Sequence, residues 1–206
     1  MSDEKQSVGG VDVSRETFEN LEKLSALIIK WTKSINLIAP KSVPDLWDRH
    51  IVDSAQVFLR APPNWTSWID LGSGGGLPGL VVAIMDDQRR PLSLIESDKR
   101  KCLFLTTARR EFDLNITVVN DRIETAVAES ADILSARALS PLNDLLTYAT
   151  KFLNPDGFAL FPKGARYKEE LDQAAQAWHF DVTAHESLTN PESRILQLSR
   201  IRRREP

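Results

Sequence analysis

A single cysteine, Cys102, stands in the whole 206-residue chain, which excludes an internal disulfide and any zinc site built on several thiolates. The three histidines, His50, His179 and His185, are too scattered to suggest a metal centre, and none is expected. No apolar run is long enough to span a bilayer. The start at residues 1–10 is polar and acidic, where a secretory leader needs a basic beginning and an apolar stretch. Excess positive charge is missing too. A net charge of −3 argues against coating nucleic acid by bulk electrostatics, so any such contact must be local. The expectation is a cytoplasmic protein free of membrane and metal.

What is present is ordinary globular composition, 42% hydrophobic and 27% charged, in a chain long enough for one domain with an appendage. Between residues 14 and 38, Phe18, Leu21, Leu24, Leu27, Ile28, Trp31 and Ile35 recur at spacings of three and four, the stripe of an amphipathic helix. A second helix is expected to begin near Ser42, where Ser42-Val43-Pro44-Asp45 combines a capping hydroxyl, an early proline and an acid. From Trp68 onward, short apolar runs alternate with helical stretches, the pattern of repeated βα units on a parallel sheet. Strands are expected at residues 68–71, 92–96, 116–119, 133–136 and 157–161. A hairpin-like pair at 179–185 and 194–200 closes the chain around Thr189-Asn190-Pro191-Glu192. The predicted fold is α/β and Rossmann-like, a seven-stranded, mostly parallel sheet of the class I methyltransferase kind. An N-terminal helical appendage (1–62) precedes the main domain (63–206).

The stretch Asp70-Leu71-Gly72-Ser73-Gly74-Gly75-Gly76-Leu77-Pro78-Gly79 lies between a strand and an apolar helix, as a cofactor loop does. Gly74, Gly76 and Gly79 also satisfy the dinucleotide pattern, so the loop alone does not choose between a nicotinamide cofactor and S-adenosylmethionine. Asp70 shifts the balance, because a carboxylate there can receive the ammonium of a methionine moiety and would repel a pyrophosphate; its bland role is to cap the turn. Twenty residues after Gly76, Glu96 at the end of the second strand can accept both ribose hydroxyls, or stand as a solvated strand-end acid. Asn120-Asp121-Arg122-Ile123-Glu124 falls where an adenine would rest, with Glu124 either reading its edge or serving as a first-turn helix acid.

These blocks together resemble one family, the ribosomal RNA small subunit methyltransferase G proteins, also called glucose-inhibited division protein B. The match spans most of the chain. It rests on Asn36-Leu37, Arg49-His50-Ile51 with Asp53-Ser54, the glycine loop, Lys99-Arg100 with Phe104-Leu105, Arg122-Ile123-Glu124, Ser135 with Arg137-Ala138, and Lys163-Gly164. The resemblance implies methyl transfer from S-adenosylmethionine to N7 of one guanine in 16S ribosomal RNA near the decoding region, on the small subunit or an assembly intermediate. It also implies cofactor contacts at Gly72, Leu77, Ile123, Glu124 and Arg137. A methyltransferase for another RNA, or a nicotinamide-binding module, is the alternative.

The residues suit that chemistry. Guanine N7 carries an in-plane lone pair and no proton, so attack on a methyl group needs alignment and no general base. Cys102, among Lys101, Leu103 and Phe104, reads as packing and not as the nucleophile that pyrimidine C5 methylation uses. The Asn/Asp-Pro-Pro-aromatic turn of exocyclic adenine methylation is absent after the fourth strand. Arg137 or Lys163 can donate to the guanine O6; Arg49 and His50 can approach the same mouth, although His50 also falls on an apolar helix face. Lys99-Arg100-Lys101, Arg109-Arg110 and the tail Arg200, Arg202, Arg203 and Arg204 are candidate phosphate contacts or solvated faces.

Overall fold

The computed structural model describes residues 6–205. Residues 1–5, which carry part of the expectation about a leader, lie outside the described residues. The chain opens with a hairpin of β1 (Gln6–Val8) and β2 (Val11–Val13), which the sequence reading does not include. Gly9 and Gly10 both take positive φ, the requirement of a two-residue hairpin turn.

Helix α1 (Arg15–Thr32) is capped by the Ser14 side chain and buries Leu21, Leu24, Leu27 and Ile28, as the stripe predicts. It stops six residues short of the expected end. The backbone N–H groups of Ser34 and Ile35 both bond to the Trp31 carbonyl, which turns the chain out of the helix. The second helix does not start at Ser42. Ser42 ends a short 3₁₀ turn (Pro40–Ser42), and its hydroxyl donates to the Ala39 carbonyl instead of capping. The helical segment starts at Trp47 as a π-helical turn (Trp47–Val52) and continues as α2 (Asp53–Leu59).

Seven strands form the main sheet: β3 (Trp68–Leu71), β4 (Leu92–Glu96), β5 (Ile116–Asn120), β6 (Ala131–Ala136), β7 (Leu153–Lys163), β8 (Trp178–Glu186) and β9 (Arg194–Arg203), in the spatial order β5-β4-β3-β6-β7-β9-β8. β3 to β7 run parallel; β9 is antiparallel to both β7 and β8. That closing pair separates the sheet from a nicotinamide-binding one, which continues with parallel units. The connecting helices are α3 (Gly79–Met85), α4 (Lys99–Glu111), α5 (Leu142–Phe152) and α6 (Tyr167–Ala177).

Each sheet face has its own core. Leu21, Leu24 and Ile28 of α1 pack with Leu80, Val81, Leu94 and Phe104 on one face; Ile69, Leu71 and Leu134 pack with Leu145, Leu146 and Phe152 on the other. The helices of the 1–62 segment therefore complete the same core as the sheet. No helix among the described residues is long and apolar enough to cross a membrane.

One buried ion pair holds the turn before β4. Arg90 reaches Asp86 with both Nε and Nη2, donates to the carbonyls of Pro63 and Trp65, and lays its guanidinium 3.5 Å from the Trp65 ring centroid. Removing the Asp86 carboxylate strands that cation, so Asp86→Ala is expected to lose about 3 kcal/mol in urea unfolding; a loss under about 1 kcal/mol contradicts this account.

Candidate active site

The chain reverses its winding at β3, between β4 and β6, so the crevice of this sheet opens at the C-terminal ends of these strands. Two hollows lie there. A pocket of about 360 Å³ is lined by Gly72, Gly74, Ile95, Glu96, Lys101, Asp121 to Glu124 and Tyr148, among others. A larger cleft of about 1020 Å³ is lined by Asp45, Asp48, Arg49, His50, Asp53, Arg137, Lys163 and the 187–195 hairpin segment, among others. Ala138, Leu139 and Ser140 border both.

The smaller pocket fits a nucleoside. Gly74 has φ +55°, and a side chain added there would meet nothing closer than 3.7 Å, so the loop leaves free space beside its own backbone. The Glu96 carboxylate accepts from the Gly74 N–H on one oxygen and from the Asp98 N–H on the other, each 2.8 Å. It thereby ties the glycine loop to the end of β4 while keeping lone pairs for ribose hydroxyls. Across the pocket, Glu124 accepts from the Tyr148 hydroxyl at 2.7 Å; this bond holds the carboxyl below its ordinary range and pushes Tyr148 up to about 12. Lys151 donates to the carbonyls of Ile123 and Glu124, fixing the segment where an adenine would lie. Sequence reading misses Tyr148 and Lys151; they sit three residues apart on α5, far along the chain from the loop they hold. Lys151→Met is expected to weaken S-adenosylmethionine binding about tenfold by calorimetry. Unchanged affinity would show that the segment needs no such clamp.

Asp70 departs from its expected role. Alternation along β3 sends Ile69 and Leu71 to the α5 face and turns Asp70 to the other, beneath α3. Its carboxylate is fully buried, accepting from Ser135 Oγ at 2.6 Å, and Ser135 Oγ in turn accepts from Trp68 Nε1. A side chain on Gly79 would come within 3.0 Å of Asp70 Oδ2, an oxygen without a hydrogen-bond partner. Burial raises the Asp70 pKa to about 6. Asp70 thus underpins the loop from inside the fold and has no direct access to a bound ammonium. Leu77 is likewise core, at 5% exposure, and Gly76 turns the chain toward α3 without lining the pocket. Any ligand contact at these two positions comes through backbone.

In the larger cleft, Arg137 at the end of β6 donates through Nη1 to His50 Nδ1 at 2.9 Å and to the Arg49 carbonyl at 3.3 Å. His50 is half-buried, and desolvation, with Arg137 and Arg49 nearby, lowers its pKa to about 4. Asp53 accepts from Thr189 Oγ1 and Gln56 Nε2, and Gln56 Oε1 accepts from the Leu188 N–H, which pins the 187–195 segment to α2. Lys163 lines the cleft, and its amine donates to the Ser140 carbonyl at 2.9 Å and to Glu170 at 2.7 Å. These two bonds brace the wall and leave one of the three ammonium hydrogens for a substrate. Cys102 is buried with its thiol against the Glu96 carbonyl and its pKa raised, as a packing residue should be. No group of three or more His, Cys, Asp or Glu converges for a metal among the described residues.

The basic clusters divide by topology. Lys99 to Lys101 open α4 just past the C-terminal end of β4, beside the nucleoside pocket. Arg109 and Arg110 close that helix at the opposite edge of the sheet. Because β9 runs antiparallel to β7, Arg200 to Arg204 also end at the edge away from both hollows.

The family model for the rRNA small subunit methyltransferase G proteins matches residues 17–198. The ribosomal RNA small subunit methyltransferase G of Ruegeria sp. is 47% identical over 196 residues, covering 94% of this chain and 95% of that one. The protein of the same name from Gluconobacter oxydans is 45% identical, covering 93% and 97%. Among solved structures, an O-methyltransferase from Bacillus cereus superposes with a TM-score of 0.59 at 10% identity, covering 88% of this chain and 90% of that one. Aeropyrum pernix fibrillarin gives 0.54 at 17%, covering 65% and 66%. These structural likenesses carry the class I methyltransferase fold.

Proposed function

We propose, from the premise that this chain belongs to the rRNA small subunit methyltransferase G family, that it transfers the methyl group of S-adenosylmethionine to N7 of one guanine in 16S ribosomal RNA near the decoding region. The substrate is the small ribosomal subunit or an assembly intermediate in the cytoplasm. The observation that supports this reading best is the pair of hollows sharing the wall Ala138-Leu139-Ser140: one has the acids and glycines for a nucleoside, the other the room for a base.

S-adenosylmethionine, when bound, supplies an electrophilic methyl group on a sulfonium. The chain's own residues then have to hold two partners in line, which is the main source of acceleration for a nucleophile that carries no proton. Glu96 and the 121–124 segment fix the nucleoside end, and the glycine loop accommodates the chain of atoms beyond it. In the cleft, Arg49 offers a donor suited to a guanine O6. Asp45 and Asp48 bring negative charge to the same walls, which favours the cationic 7-methylguanine that forms. The imidazole in the cleft is not a free base, since His50 Nδ1 is occupied by Arg137, and an N7 target needs none.

Small subunits lacking the modification, incubated with radiolabelled S-adenosylmethionine and mapped by cleavage at 7-methylguanine, are expected to show one labelled guanine, with naked 16S RNA labelled less. No transfer to either substrate by protein that binds the cofactor would sink the assignment.

A further inference from the structure

We propose that His50 is a positioning residue that aims the Arg137 guanidinium at the carboxylate end of the cofactor's amino-acid arm, held in that task by Ser42. The inference rests on the reading above that the cofactor is S-adenosylmethionine.

The direction of every proton in this group follows from chemistry. A guanidinium donates and never accepts, so in the 2.9 Å contact between Arg137 Nη1 and His50 Nδ1 the imidazole nitrogen carries the lone pair. The ring proton then sits on Nε2, which faces Ser42 Oγ at 3.0 Å. Ser42 Oγ accepts that proton and gives its own to the Ala39 carbonyl at 2.8 Å. The chain Arg137 to His50 to Ser42 to Ala39 is thus polarised one way and works only with a neutral imidazole, and the half-buried setting beside two arginines keeps it neutral. The second N–H of Arg137 Nη1 goes to the Arg49 carbonyl. One edge of the guanidinium is therefore fully engaged by the N-terminal segment, while Nε and Nη2 have no partner among the described residues.

Arg137 immediately precedes the Ala138 to Ser140 wall between the two hollows. A cofactor whose adenosine were held at Glu96 and Glu124 would extend its amino-acid arm across that wall, and a planar fork of unspent donors on Arg137 would match its carboxylate. Arg49 and His50 sit in the π-helical turn, whose extra residue per turn presents their backbone carbonyl and ring to the same guanidinium.

The test compares His50→Asn, whose amide oxygen falls near the Nδ1 position and keeps an acceptor for Arg137, with His50→Gln, which reaches the Nε2 position and leaves Arg137 unheld. Calorimetry is run with S-adenosylhomocysteine and with 5′-methylthioadenosine, which lacks the amino-acid arm. His50→Asn is expected to bind both within about threefold of the parent. His50→Gln is expected to lose about 30-fold for S-adenosylhomocysteine and nothing for 5′-methylthioadenosine. Ser42→Ala, which keeps the imidazole but frees its orientation, is expected to lose about fivefold for the first compound only, and serves if His50→Gln does not fold. Equal losses in the Asn and Gln variants, or equal losses for both compounds, overturn the proposal. So does unchanged binding with a raised KM for subunits, which would assign Arg137 to the base. A parent protein that binds neither compound overturns the cofactor reading itself, a result separate from any effect of the variants.

Discussion

Glu96→Ala is expected to raise the Kd for S-adenosylmethionine by about two to three orders of magnitude, the largest effect of any single side-chain truncation around the nucleoside pocket. Two losses combine. The carboxylate acts on the protein itself, accepting from the Gly74 and Asp98 N–H groups, so its removal leaves the glycine loop untied at the position that faces the ligand. It also offers charged acceptors to the ribose hydroxyls, each such hydrogen bond being worth about 1.5 to 3 kcal/mol. Taken at the lower end they amount to the roughly 3 to 4 kcal/mol that corresponds to two to three decades of affinity. The thermal midpoint should fall only modestly, since Glu96 stands at the end of its strand. Calorimetry decides: a change of less than about fivefold would mean that the ribose is held elsewhere.

Asp70→Asn is expected to make the protein more stable at pH 8 and a poorer binder of its cofactor. The folded-state pKa of Asp70 is raised from 3.8 to about 6 by burial, so the folded chain holds a proton that the unfolded chain releases between those values. Stability from this group is therefore full below about pH 4 and lost as pH rises through 6, a change of up to about 3 kcal/mol for a displacement of this size. An asparagine cannot ionise, so the gap between variant and parent should open over that window and reach about 1 to 2 kcal/mol, reduced by the amide hydrogen atoms placed where Oδ2 already lacks a partner. Affinity should move the other way. A negative charge under the loop favours a sulfonium, so S-adenosylmethionine is expected to lose about tenfold and the uncharged thioether of S-adenosylhomocysteine less. Chemical denaturation from pH 4 to pH 8 reads the first effect. A stability difference that does not vary with pH would remove Asp70 as its origin.

How far the chain can be read without its structure depends on whether a signal is local. The βα alternation, the closing hairpin and the glycine loop are local, and they stand where periodicity and turn chemistry put them. The ends of α1 and the start of the second helical segment are not. There a capping-like Ser-Val-Pro-Asp competes with a tertiary use of the Ser42 hydroxyl on His50, and the tertiary contact wins. The Gly9-Gly10 hairpin was within reach of sequence, since two adjacent glycines between Val-containing runs satisfy a primed turn. At the site, Gly72, Gly74, Glu96, Ile123 and Glu124 meet in one pocket near strand ends, whereas Arg137, expected beside them, lines the cleft with Arg49 and His50 of the helical turn. What sequence does not disclose is which way a side chain faces. Asp70 and Lys163 are both at strand ends beside the mouth, yet one is turned under a helix and the other is bound to Glu170. Tyr148 and Lys151 enter through α5, whose docking no local pattern announces.

The two hollows have different addresses along the chain. Residues that line the nucleoside pocket all fall between Gly72 and Tyr148, whereas the cleft draws on both extremes, residues 45–56 and 187–195, joined by Asp53 to Thr189 and Gln56 to Leu188. During synthesis every residue of the pocket is made before the last wall of the cleft. The cleft is thus the later of the two hollows to be completed, and substitutions within 45–56 or 187–195 reach it without replacing any residue that lines the smaller pocket.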